Sequence, residues 1–134
     1  MRRKPSQTPT IKRSIAKFSV EDFIAIMDKL VETNTSNQNV LRGRKQHWYN
    51  LITENQLTCP ATEKRVAYCS YDVMEHPNPK VQPSYHFNFY SDDDEMFTID
   101  HKMPKSLGGA DISDNVQPMI GEINWRKGSE LIYT

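Results

Sequence analysis

The stretch TIDHKMPKSLGG, residues 98–109, joins a short apolar run to a loop that contains proline and two glycines. The apolar run starts at Met96, has the length of a β-strand and ends at Asp100 and His101. An aspartate can hold a metal ion, and a histidine can move a proton near neutral pH. Neighbours on a strand point to opposite faces, so the strand end offers these groups on its two sides. Alone, such a pair is common, and its meaning depends on the residues around it.

The residues after the glycines predict a second strand and a helix. Residues 115–120 have the pattern of a short strand, and GEINWRKGSELIY predicts a helix that starts at Gly121. Such a unit can fold back so that its helix faces the end of its first strand. Asp100 and Asn124 would then offer two oxygen ligands to one hard cation, which suits Mg²⁺. His101, on the other face, could take a proton from water.

The rest of the chain predicts helices first and strands afterwards. Ser19 has the character of a helix N-cap, with Asp22 in the capping-box position. Helical periodicity predicts helices over 20–33 and about 40–56, and alternation predicts strands over 65–73, 85–90 and 96–100. The predicted fold class is α+β, with N-terminal helices followed by a small antiparallel sheet and the C-terminal unit. We divide the chain into a basic flexible arm at 1–17, a helical part at 18–57 and a part at 58–134 that carries the site.

The composition is that of one soluble domain. The chain has 134 residues, 37% hydrophobic and 25% charged, a balance typical of a folded protein. It has no apolar run of the roughly 20 residues that a membrane helix needs and no signal-peptide pattern. We therefore expect a cytoplasmic protein with no membrane partner.

Cys59 and Cys69 form no CxxC pair, so we expect reduced thiols, with a disulfide or half of a zinc site as the alternatives.

The formal net charge of zero hides clusters of basic residues. Residues 1–20 contain lysines and arginines but no acid, and Arg42, Arg44 and Lys45 lie near the start of the predicted second helix. Positive charge there opposes the helix dipole, which favours a role other than helix stability. Basic arms often contact phosphates, although a solvated tail is the plainer interpretation.

The stretch FTIDHKMPKSLGGADISDNVQPMIGEINWRKGS, residues 97–129, resembles the HNH endonuclease motif and its ββα-metal nuclease fold. The resemblance covers about a quarter of the chain. It includes the Asp-His pair, the Gly-Gly turn, the Asp-Asn before the second strand and the Asn-x-x-Lys-Gly ending. It implies a ββα-metal unit over residues 96–131.

The resemblance also implies a role for each motif residue. Asp100 would be a metal ligand and His101 the general base. Asn115 would be a structural member of the catalytic set, bridging the long loop and holding the histidine. Asn124 would be the second metal ligand, at a position where many members have histidine, which makes this chain an HNN variant. The amide oxygen of asparagine at this position favours Mg²⁺ or Mn²⁺ over metals that prefer nitrogen ligands, such as Zn²⁺ or Ni²⁺.

One feature of many family members is missing from the sequence. Those members place a CxxC pair just before the third motif residue to hold a structural zinc. Here these positions are Ile120 and Ile123. We therefore expect apolar packing and no structural zinc. Small free-standing chains of this kind resemble those of phages and mobile elements, which implies the host cytoplasm and leaves open a homodimer or a larger DNA-processing assembly.

The leading hypothesis is a metal-dependent endonuclease that hydrolyses phosphodiester bonds in DNA. The alternative is a catalytically idle or partner-dependent module that binds nucleic acid in a phage DNA-processing assembly. The sequence does not distinguish a DNA substrate from an RNA substrate, or a duplex from a branched one.

The other histidines, His47, His76 and His86, are predicted to be structural or solvated. The residues expected to contact flanking phosphates are basic: Lys102, Lys105, Arg126, Lys127, Arg42, Arg44 and Lys45.

Overall fold

The computed structural model describes residues 11–33 and 41–128, and this part has an α+β fold with a five-stranded antiparallel sheet. The strands lie in chain order across the sheet, each paired with the next. The α+β class is therefore confirmed. The elements are β1 (Ile11–Phe18), α1 (Val20–Thr33), α2 (Arg44–Thr53), β2 (Tyr68–Glu75), β3 (Ser84–Tyr90), β4 (Met96–His101), β5 (Val116–Ile120) and α3 (Gly121–Lys127), with 3₁₀ turns at Lys105–Leu107 and Ser113–Asn115.

The first strand corrects two predictions. Residues 11–17 were expected in a flexible arm, and the helices were expected before all strands, but β1 precedes α1 and pairs with β2. Lys12 donates a hydrogen bond to the Tyr90 hydroxyl at 2.5 Å, and the Lys17 ammonium lies 4.0 Å from the centre of the Tyr68 ring. The basic side chains are thus held on the aromatic surface of the sheet, and lysines are common on edge strands. The predicted arm's residues 1–10 lie outside the described residues.

Helix α1 has the predicted bounds. The Ser19 hydroxyl accepts a hydrogen bond from the Asp22 backbone amide at 3.0 Å, which confirms the N-cap. The helix buries Phe23 and Met27 against the sheet. The ring of Phe23 meets that of Phe89 edge-on at 4.9 Å, a favourable aromatic geometry.

Helix α2 is shorter than the predicted 40–56. It begins only after Gly43, whose φ of 60° is not helical, and it ends at Thr53. Its Trp48 ring stacks on Phe89 at 4.4 Å, and Leu51 is fully buried. These contacts fix α2 on the same face of the sheet as α1, within one core cluster.

Strand β4 pairs unequally with its two neighbours. It pairs with β3 only at Phe97 and Met96, but with β5 along five residues from Phe97 to His101. Its second half therefore separates from β3, and a cavity of about 720 Å³ lies there, lined by residues of both strands. Strand β5 is the sheet edge, which is where its Pro118 was expected.

The C-terminal helix follows β5 directly. Ile120 and Ile123, which were expected to pack in place of a zinc-binding cysteine pair, do make apolar contacts: Ile120 is buried, and Ile123 packs against the core. Cys59 and Cys69 are buried free thiols, and burial raises the pKa of Cys69 to about 12.

None of the helices in the described part of the chain is both long and apolar enough to cross a membrane.

Candidate active site at the end of strand β4

Asp100 lies buried on the side of β4 that faces α3. Its Oδ2 accepts a hydrogen bond from Gln117 Nε2 at 2.9 Å, across the β4–β5 pair. Its Oδ1 lies 3.2 Å from the Nζ of Lys127, and the two side chains are 4% and 0% exposed. The last turn of α3 therefore brings a cation to the strand end, and the predicted metal ligand is one half of a buried ion pair.

Asn124 ties α3 to the residues just before Asp100. Its Nδ2 donates to Thr98 Oγ1 at 2.7 Å and approaches the Ile99 carbonyl oxygen at 3.4 Å. The Thr98 hydroxyl donates its own proton to the Met119 carbonyl, so it accepts from Asn124. This pattern sets the amide orientation, with nitrogen toward the strand. The predicted ligands Asp100 and Asn124 are thus both buried where α3 meets β4.

The donor types at this position fit a hard cation. A carboxylate and an amide oxygen are ligands that Mg²⁺ accepts, with water completing its shell. The Asp100 carboxylate already has a counterion, because the Lys127 ammonium lies 3.2 Å from its Oδ1. A divalent ion at Asp100 would take the place of this ammonium, since two cations repel strongly in a buried setting.

His101 lies on the other side of the strand end, in a partly open position. Its Nε2 is 2.7 Å from Asp111 Oδ1. An ionised carboxylate can only accept, so Nε2 carries the proton and Nδ1 is the basic nitrogen of the neutral ring. His101 and Asp100 both reach one cleft of about 210 Å³ beside Lys105 and Ser106.

Asp111 links His101 to a second histidine. The same Oδ1 lies 2.7 Å from the Nε2 of His47, which is on α2. Hydrogen bonds from His101 and then from His47 lower the pKa of Asp111 to about 2. Asp111 is consequently ionised across the physiological range and favours the proton on Nε2 of both rings.

Asn115 closes the loop that carries Asp111. Its Nδ2 donates to the carbonyl oxygens of Met103 and Ala110, and its Oδ1 accepts from the Met103 amide at 2.9 Å. A Cβ at Gly109 would lie 1.7 Å from the Met103 carbonyl oxygen, so this tight loop requires glycine there. The Asn115 side chain therefore bridges the loop between β4 and β5.

The basic residues predicted to contact phosphates have different surroundings. Lys127 does not fit that role, because its side chain is fully buried against Asp100. Arg126 is exposed and forms an ion pair with Glu122, and Lys105 is exposed at the rim of the small cleft. Lys102 is partly buried. The cluster near α2 lines a cavity of about 300 Å³ together with aromatic side chains: Arg42, Arg44, Lys45, Tyr71, Tyr85 and Phe87.

Sequence reasoning did not find His47 and Asp111. His47 was expected to be structural or solvated, and Asp111 was assigned only to a polar loop. No local pattern marks His47, because it lies on a helix remote in sequence from the motif. Asp111 does have one signal, since it lies inside the loop bounded by His101 and Asn115.

Comparisons of the chain with protein-family models, with curated proteins and with solved structures find no match.

Proposed function

We propose that the chain is a metal-dependent endonuclease of the HNH type that hydrolyses phosphodiester bonds in DNA. The observation that carries the proposal is the cleft at the end of β4, which Asp100, His101 and Lys105 all line. A carboxylate, an imidazole and an ammonium that line one cleft are suited to phosphoryl chemistry. The motif resemblance implies roles for two of these residues, Asp100 and His101.

In this proposal Asp100 and Asn124 would hold a divalent ion, Mg²⁺ or Mn²⁺. When bound, such an ion stabilises the negative charge that develops on a phosphate during hydrolysis. Lys127 keeps the buried Asp100 carboxylate compensated at other times, at 3.2 Å from its Oδ1.

His101 acts as the general base through Nδ1, which takes a proton from the attacking water. Asp111 fixes the ring by its bond to Nε2 and stabilises the imidazolium that results. Asn115 holds the loop that positions Asp111. Lys105, at the cleft rim, is placed to contact the phosphate that reacts or one next to it.

The second candidate is an idle or partner-dependent module that binds nucleic acid. It is favoured by the Asp100–Lys127 ion pair, because a carboxylate neutralised by a buried lysine has less need of a metal ion. In that case the basic and aromatic cavity near α2 would be the binding surface, and cutting would require a partner that displaces Lys127.

A plasmid-nicking assay tests the proposal directly. Supercoiled DNA is incubated with the protein in Mg²⁺, Mn²⁺ or EDTA, and wild type is compared with His101→Ala at equal folded concentration. We expect metal-dependent nicking that falls about 10²- to 10⁴-fold in the variant, the usual range for loss of a general base. His76→Ala is the matched control, because His76 lies in the loop after β2 and lines none of the three cavities described above.

Two outcomes would reject this assignment. Cutting that survives in His101→Ala would remove the proposed general base. A folded wild type that cuts neither DNA nor RNA in any metal, yet retards DNA in a gel, would favour the binding module.

A further inference from the structure

Three side chains of types that can bind a metal ion meet on the cavity side of β4. His47 comes from α2, His101 from the end of β4 and Asp111 from the loop between β4 and β5. The Nε2 atoms of both histidines lie 2.7 Å from Asp111 Oδ1, and all three donor atoms lie within 4.8 Å of one another. These segments are separate in sequence, so the tertiary fold creates the cluster.

The donor set differs in kind from the one at Asp100 and Asn124. Two imidazole nitrogens and one carboxylate oxygen suit Zn²⁺ and the other late first-row divalent ions, whereas the oxygen pair suits Mg²⁺. The ligand type therefore separates the two positions by metal preference.

The spacing is close to that of a metal site. With metal–ligand bonds of roughly 2.0–2.2 Å, tetrahedral ligands lie about 3.3 Å apart. The two contacts of 2.7 Å would have to lengthen by about 0.6 Å, and the two Nε2 atoms, which lie within 4.8 Å of each other, would have to come closer. Asp111 is on a loop and its side chain is 46% exposed, so it can make this shift. All three residues line the cavity of about 720 Å³, which leaves space for water at a fourth position.

Two features favour weak, reversible binding over a structural site. Lys105 Nζ lies 3.8 Å from Asp111 Oδ2 and repels a cation. The Nδ1 of buried His47 has no hydrogen-bond partner among the described residues, so a proton moved there by metal binding at Nε2 is poorly stabilised.

We propose that His47, His101 and Asp111 form a reversible binding site for a late transition-metal ion such as Zn²⁺, separate from the oxygen site at Asp100 and Asn124. A regulatory consequence rests on the proposed function. A metal ion on His101 Nε2 forces the ring proton onto Nδ1, the atom that would take the proton from water. Zn²⁺ would therefore inhibit the nuclease by removing its general base.

Zinc binding is measured first, without any need for activity. Tag-free protein is titrated with Zn²⁺ by calorimetry, and the absorption spectrum with Co²⁺ reports the ligand type. We expect one ion per chain, with nitrogen and oxygen ligands. Asp111→Asn should weaken binding at least about tenfold. Asp114→Asn makes the same charge change in the same loop and should bind as wild type does.

Further variants separate this site from the proposed catalytic one. Asp100→Asn should keep zinc binding, and His47→Gln should weaken it, with folding checked by circular dichroism. Absence of binding, binding that Asp111→Asn leaves unchanged, or a cobalt spectrum with thiolate bands from Cys59 or Cys69 would overturn the proposal.

Inhibition is a second and independent measurement. If the wild type nicks DNA in Mg²⁺, Zn²⁺ should inhibit it over the concentration range in which it binds, and added chelator should reverse the effect. If no nicking is seen in any metal, the proposed function fails, whereas the calorimetric result on His47, His101 and Asp111 still decides the metal site.

Discussion

Replacing Lys127 with methionine tests the buried ion pair between Lys127 and Asp100 in the candidate site. The Lys127 and Asp100 side chains are 0% and 4% exposed, and the ion-pair distance is 3.2 Å. Removal of lysine leaves a buried carboxylate with the hydrogen bond from Gln117 but without its cation. Breaking a buried pair in this way costs about 3–5 kcal/mol, a large share of the roughly 5–15 kcal/mol that stabilises a domain. We expect Lys127→Met to lower the free energy of unfolding by that amount in urea denaturation at neutral pH with EDTA.

A neighbouring residue supplies the matched control. Arg126 forms an ion pair with Glu122 at 2.7 Å, but these side chains are 65% and 67% exposed. Arg126→Met should therefore cost less than about 0.5 kcal/mol. Equal small losses for Lys127→Met and Arg126→Met would refute the reasoning, because they would mean that the Lys127 pair is effectively solvated.

The same variant connects stability to metal binding. Without the ammonium of Lys127, the Asp100 carboxylate has room for a divalent ion. If Asp100 is a metal ligand, Mg²⁺ should stabilise Lys127→Met more than wild type, following the linkage between binding and unfolding. The combination of Asp100→Asn with Lys127→Met should abolish this gain. A gain that survives in the double variant would place the ion elsewhere.

Three further predictions concern other polar contacts. Asp72→Ala should lower the free energy of unfolding by at least about 3 kcal/mol in urea, because the buried Asp72 accepts hydrogen bonds from Asn88, Tyr90 and Ser70. Asn115→Ala should speed hydrogen exchange of the Met103 amide, which bonds to Asn115 Oδ1. The pKa of Asp111 is lowered from 3.8 to about 2, so its ionised form should stabilise the fold above pH about 4, and this contribution should be lost as the pH falls toward 2. Acid unfolding of Asp111→Asn should lack this contribution, which stays below about 1 kcal/mol because the side chain is partly exposed.

Each of these predictions has a result that contradicts it. A loss below about 1 kcal/mol in Asp72→Ala would mean that water replaces the aspartate. Unchanged exchange at Met103 would mean that Asn115 does not hold the loop. An acid-unfolding curve for Asp111→Asn that overlays the wild-type curve would show that Asp111 titrates at its ordinary value.

Local patterns were sufficient for several elements. Helix α1 has the predicted bounds because its N-cap, Ser19, and its apolar spacing both act within a few residues. Strand β1 was missed because its stability comes from remote partners: Lys12 bonds to Tyr90, and Lys17 lies over Tyr68. Such cross-strand contacts cannot be predicted from the sequence of the strand itself.

The amino-acid sequence alone placed Asp100, His101, Asn115 and Asn124 in one unit, because a strand, a loop, a strand and a helix follow one another within a short stretch. Folding decided what surrounds them. Packing of α2 on the sheet, with Trp48 against Phe89, brings His47 to Asp111 from a remote part of the chain. The last turn of α3 buries Lys127 against Asp100, so a lysine that the sequence predicts to contact phosphate becomes the counterion of the candidate metal ligand. Burial and the pairing of distant charges depend on how separate segments pack, and only the tertiary structure fixes them.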